Sequence, residues 1–148
     1  MKTIDQVSYL AMRQDAEILE ADGHGEKVLR LRDGNILKLF RRKRLLSSAL
    51  WSPYAKRFSE NAKRLARIGI CAPKIIALFR VPSIERDGVL YEPIPGETLR
   101  HQFRKNPCPA DLMDRRQKIA RFVSDLHQKG ISFRSLHLGN IVETPAGT

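Results

Sequence analysis

The side chains best suited to chemistry gather in one run near the C-terminal end, Phe133-Arg134-Ser135-Leu136-His137-Leu138-Gly139-Asn140. A cation, a hydroxyl, an imidazole and a carboxamide lie within it, but no carboxylate. Such a loop can handle an anion or a hydroxyl group. It lacks a carboxylate base, and the neutral hydroxyl of Ser135 neither attracts a substrate proton at pH 7 nor stabilises it after transfer. Read on its own, Asn140 after Gly139 is a common turn residue, and His137 can equally hydrogen-bond within its loop. Lys38 is a second point of interest, an ammonium flanked by Ile36, Leu37, Leu39 and Phe40. On an alternating strand it can simply face outward. Glu60 is the only acid on a helix face that carries Lys56, Arg57, Lys63, Arg64 and Arg67, and on its own it can simply balance those charges.

Elements of predictable type position these residues. Glu17–Glu20, Val28–Leu31 and Ile36–Phe40 read as strands, separated by the turns Asp22-Gly23-His24-Gly25 and Asp33-Gly34-Asn35, so the pattern predicts a three-stranded antiparallel meander. Ser52-Pro53 can start a helix, and Tyr54, Phe58, Ala62, Leu65 and Ile68 recur at helical spacing until Gly69. Ile75–Phe79 and Val89–Tyr91 predict a hairpin, split by Val81-Pro82 and Arg86-Asp87-Gly88. The prolines and glycine of Pro93-Ile94-Pro95-Gly96 interrupt regular structure and suggest a boundary between 1–94 and 95–148. Thr98 can cap a short helix to about Lys105. A longer helix runs from Asp111 to Lys129 with Leu112, Ile119, Phe122, Val123 and Leu126 on one stripe, and Gly130 is placed to end it.

Composition narrows the class of protein. The 148 residues are 42% apolar, ordinary for a globular chain, with no apolar run long enough for a membrane span or a secretory signal. A cytoplasmic location is the expectation. Cys71 and Cys108 lack the spacing of a zinc site or disulfide framework and read as reduced thiols. With 27 Lys and Arg against 16 Asp and Glu, the net charge of +11 favours anionic partners, whether nucleotides, nucleic acids or an anionic membrane. The densest cluster is Arg41-Arg42-Lys43-Arg44, and no RNA-binding aromatic motif accompanies it.

The order of these elements, together with the loop, resembles a protein-kinase-like fold up to its catalytic loop. Kinase loops carry the pattern H-R-D-L-x-x-x-N, against which Arg134, Leu136 and Asn140 align, with Ser135 in place of the Asp and Phe133 in place of the His. Leu136-His137-Leu138-Gly139-Asn140 is more similar to the H-G-D-L-H-x-G-N variant of bacterial lipopolysaccharide-core (heptose and Kdo) kinases and the related sugar and aminoglycoside phosphotransferases. The resemblance implies an α+β fold: a five-stranded antiparallel N-lobe with one inserted helix over 1–94, and the hinge and start of a helical C-lobe over 95–148.

By the same resemblance the cofactors are ATP and Mg2+. Lys38 would meet the nucleotide phosphates, with Glu60 as its partner on the helix. Gly23 and Gly25 would cover the phosphates, and Glu92 to Ile94 would offer hinge backbone to the adenine. Arg134, Ser135 and His137 would form the catalytic loop, with His137 near the transferred phosphoryl group and Asn140 on magnesium. An anionic lipid-linked sugar, or the inner-membrane surface, would be the partner.

Two departures qualify this expectation. Ser135 removes a base that contributes typically ~10²–10⁴-fold, which leaves weak transfer possible because positioning and charge dominate this chemistry. The family's D-x-G magnesium aspartate does not occur between Val142 and Thr148, so the chain reads as a piece of a longer kinase-like protein, inactive or weak alone. The alternative from another class is a pseudokinase, a regulatory or nucleotide-binding module without transfer. Nucleic-acid binding is a lesser alternative, supported by charge alone.

Overall fold

The computed structural model describes residues 1–42, 53–107, 110–132 and 136–145. The chain divides into two compact units, Met1–Pro93 and Ile94–Thr148.

In the first unit a short strand β1 (Lys2–Thr3) leads into helix α1 (Gln6–Arg13). Asp5 caps the helix by accepting the Ser8 amide at 2.7 Å, a bond that also lowers the Asp5 carboxyl below its ordinary value. The meander follows as β2 (Glu17–Asp22), β3 (Gly25–Arg30) and β4 (Ile36–Arg41). Its turns rest on the predicted residues. Asp22 accepts the His24 amide at 2.8 Å, and Asp33 accepts the Asn35 amide at 3.0 Å, while Gly25 and Gly34 take left-handed φ values of +105° and +84°.

Helix α2 (Tyr54–Arg67) comes next, then β5 (Lys74–Val81) and β6 (Arg86–Glu92), joined by a 3₁₀ turn at Pro82–Ile84. The sheet has six strands in the order β1-β5-β6-β4-β3-β2, with β1 parallel to β5 and every other pair antiparallel. The expected five strands are therefore corrected to six. The additional strand is two residues long and joins through backbone pairing, Lys2 opposite Phe79 and Thr3 opposite Arg80, which leaves no alternating pattern to read in sequence.

Alternation along β4 sends its side chains to two faces. Leu37 and Leu39 join Tyr9, Leu29, Leu31, Phe79 and Val81 in a buried core under α1, with Ile4 and Met12 packed against it. Gly88 belongs to this face because the Phe79 ring lies over it, and a Cβ there would come within 2.5 Å of that ring. Ile36, Lys38 and Phe40 point to the opposite face, where α2 packs on β4, β5 and β6. The buried stripe of α2 is Ala55, Ser59 and Ala62, with Phe58 and Leu65 half-buried. Tyr54 and Ile68, expected on that stripe, are 40% and 42% exposed. Small residues at four- and three-residue steps let the helix lie close to the sheet, and this closeness rotates the larger end residues outward.

Arg86 and Asp87 were expected in a turn. They open β6 instead, and both are buried. Their charge is accommodated because Asp87 accepts from Arg80 Nε at 3.2 Å, its partner across the β5–β6 pair, while Arg86 donates to the His24 carbonyl.

The second unit begins at the connector. Its strand β7 (Glu97–Thr98) pairs antiparallel with β8 (Val142–Glu143). Gly96, at φ +136°, lies so close to β8 that a Cβ would come within 2.1 Å of the Glu143 carbonyl oxygen. Helix α3 (Leu99–Lys105) starts as expected, with Thr98 Oγ1 accepting the His101 amide at 3.3 Å. Helix α4 (Leu112–Gln128) ends before Gly130 at φ +72°. Leu126 is the buried member of its stripe. Among the described residues, no helix is long and apolar enough to cross a membrane.

Candidate functional site

Lys38 is the most unusual side chain of the first unit. Its Nζ lies 5.3 Å from the Phe58 ring centre and 5.8 Å from that of Phe40. Phe58 stands between Phe40 and Tyr91, at centroid distances of 5.9 and 5.5 Å, so the ammonium sits against an aromatic group contributed by β4, α2 and β6. Ring faces attract a cation, but far less than a carboxylate would. Burial lowers the Lys38 pKa from its ordinary value, with Glu20 pulling weakly the other way. The same burial pushes the Tyr91 phenol up to about 12, so at neutral pH it is a protonated hydroxyl. Among the described residues no ion pair joins Lys38 to a carboxylate. Glu60, on an exposed part of α2, instead faces Lys56 at 3.8 Å, and the expected Lys38–Glu60 pair is not formed.

The glycine turn lies between β2 and β3. Gly23 has open space around its Cα, whereas Gly25 is required for its positive φ. Arg86 fastens this turn through the His24 carbonyl. Of the expected hinge residues, Glu92 accepts from Lys74 at 2.8 Å near the end of β6, and Ile94 lies in the connector at the start of the second unit.

In the second unit, His137 and Asn140 share one 3₁₀ turn, Leu138–Asn140, with the Asn140 amide donating to the His137 carbonyl at 2.8 Å. His137 Nδ1 accepts from the Gly139 amide at 3.1 Å and lies 3.1 Å from Arg100 Nη2. Both partners can only donate, which places the proton of the neutral imidazole on Nε2. The Arg100 guanidinium also covers Gly139, where a Cβ would come within 2.9 Å of its Cζ. The Leu99 amide donates to the Ile141 carbonyl at 3.0 Å and ties helix α3 to the chain just after the loop. Phe133, Arg134 and Ser135, and with them two of the three expected catalytic residues, lie outside the described residues.

Magnesium held by protein is usually bound through one or two carboxylates together with substrate phosphates. Near Asn140 the nearest carboxylate in sequence, Glu143, faces Arg115 at 3.5 Å, and no group of three His, Cys, Asp or Glu suited to a metal occurs among the described residues.

Arg100, Arg86 and the aromatic surroundings of Lys38 do not stand out in the sequence. Arg100 had no signal beyond its place in the first turn of a helix. Phe40 two residues after Lys38 was the available sign that an aromatic would share its face. No protein-family model matches the sequence, and no curated protein matches it.

Proposed function

We propose that the chain is the nucleotide-binding part of a kinase-like phosphotransferase of the lipopolysaccharide-core or sugar kinase type, with Lys38 as its phosphate ligand. The observation that carries this reading is the Lys38 ammonium, half-buried against Phe40 and Phe58 and lacking a carboxylate partner among the described residues. A partly desolvated cation held in this way gains from an anion, and phosphate oxygens supply one. The meander, the helix after its third strand, the following hairpin, the Pro-Gly connector and the loop containing His137 and Asn140 support the same reading. In it, Lys38 fixes the nucleotide phosphates. His137, locked by Arg100 with Nε2 as its donor, presents an N–H to an oxyanion in its own unit. ATP is the nucleotide of this reading, and an anionic lipid-linked sugar is the acceptor.

Nucleotide binding without transfer is the second reading. It is favoured by Glu60 facing Lys56 and by Ser135 in place of a carboxylate. Thermal denaturation of the 148-residue chain with and without ATP tests binding, since a ligand specific for the native state raises the midpoint. Both readings expect a rise, and no rise would count against both. Phosphate transfer from labelled ATP to a core-sugar acceptor, gained or increased by Ser135→Asp, separates the first reading from the second.

A further inference from the structure

On the α1 face of the sheet, opposite to Lys38, a cleft of about 360 Å³ opens between α1 and the β2–β3 turn. Its walls include Gln6, Tyr9 and Arg13 of α1, Glu26 of β3, Ile84 and Arg86. The size falls at the low end of the ~300–1,000 Å³ typical of small-molecule sites.

Arg86 makes this cleft more than a surface depression. It is only 6% exposed, yet its guanidinium has a single protein acceptor, the His24 carbonyl, and no carboxylate partner among the described residues. Among the described residues, a full positive charge with five N–H donors thus has one neutral oxygen as its acceptor in the wall of a cleft, and none of its nitrogens is buried without a partner. Of the carboxylates near it, Glu26 is already engaged by Arg13 and, at 3.5 Å, by the Tyr9 hydroxyl, while Asp22, which feels the Arg86 charge without an ion pair to it, accepts the His24 amide. Together Arg13, Glu26 and Arg86 leave one net positive charge on the cleft wall.

We propose that this cleft binds the oxyanion group of a small molecule, a phosphate or a carboxylate, with Arg86 as its anchor. A guanidinium fork matches either group with two parallel hydrogen bonds, and withdrawal from bulk water strengthens the pairing. The site is separate from the face of Lys38 and does not rest on the nucleotide reading. Because Arg86 also holds the His24 carbonyl, an anion on Arg86 would bear on the β2–β3 turn.

The test is an NMR titration of isotope-labelled protein with inorganic phosphate and, separately, with acetate, following backbone amides and arginine Nε–H signals. The expected result is a saturable shift at Arg86 Nε–H and the amides of His24, Gly25 and Glu26, whether or not the surroundings of Lys38 respond. A response to phosphate alone or to acetate alone identifies the preferred oxyanion. Lys38→Met should leave the shift intact, whereas Arg86→Gln should abolish it. Tyr9→Phe retains the ring and keeps the test informative should the Arg86 variant not fold: a weakened but saturable response is expected. A shift that is non-saturable, or equal across the surface arginines, would overturn the proposal.

Discussion

The Lys38 ammonium sits 5.3 Å from the centre of the Phe58 ring, a contact between β4 and α2 that brings a strand cation under a helix aromatic. The cost of partly withdrawing this charge from water is only partly returned by ring faces. Removing the charge while keeping the stem should therefore not weaken the fold. Lys38→Met is expected to leave stability unchanged or to raise it by up to about 1 kcal/mol, measured by urea denaturation. A loss of several kcal/mol would mean that Lys38 has a structural partner.

Tyr91 gives a pH dependence of known sign. Its phenol is raised from 10.0 to about 12 by burial, so the native state retains this proton to higher pH than the unfolded chain does. Its contribution to stability is complete below pH 10 and is lost as pH rises from 10 towards 12. Ultraviolet titration of the folded protein should show a late phenolate step that Tyr91→Phe removes. Tyr9, raised mainly by burial and next by Glu26, shifts in the same direction, so the Tyr91→Phe difference is the informative quantity.

Gly88 should be intolerant of any side chain. The Phe79 ring occupies the space of its Cβ at 2.5 Å, and overpacking of this kind costs about 3 kcal/mol. Gly88→Ala is expected to lower the denaturation midpoint accordingly. Phe79→Leu in the same chain should recover part of the loss, which distinguishes a ring clash from a backbone effect.

Much of the first unit was legible in its residues. Turn chemistry placed the turns of the meander at Asp22–Gly25 and Asp33–Asn35, and the backbone amides that donate to the Asp22 and Asp33 carboxylates explain why. Thr98 and Gly130 marked the helix ends of the second unit in the same local way. What escaped was non-local. Strand β1 is held by backbone pairing with β5, and Arg86 and Asp87 are buried charges made tolerable by partners from β5 and a distant turn. The packing face of α2 turned on whether small or large residues meet the sheet, which periodicity alone does not decide. For the candidate site, Lys38 stood out in sequence, but its aromatic surroundings depended on the α2 register, and Glu60 falls on a different side of that helix from Ser59.

Arg100 is expected to act as a positioning residue for His137. Arg100→Ala removes the 3.1 Å contact with His137 Nδ1 and the cover over Gly139. Imidazole nitrogen NMR shifts should then move from a fixed Nε2–H form towards mixed tautomers, and amide exchange at Gly139 should accelerate several-fold as one anchor is lost. Unchanged imidazole shifts would show that the Gly139 amide alone fixes the ring.

If Lys38 serves nucleotide phosphates, calorimetric titration of the 148-residue chain with ATP reads that role out. Wild type should bind, and Lys38→Met, folded to the same stability, should bind at least about tenfold more weakly, a loss of ~1.4 kcal/mol or more expected for a removed charge-assisted contact. Equal affinity in the two proteins, or no binding by the wild type, would contradict the account.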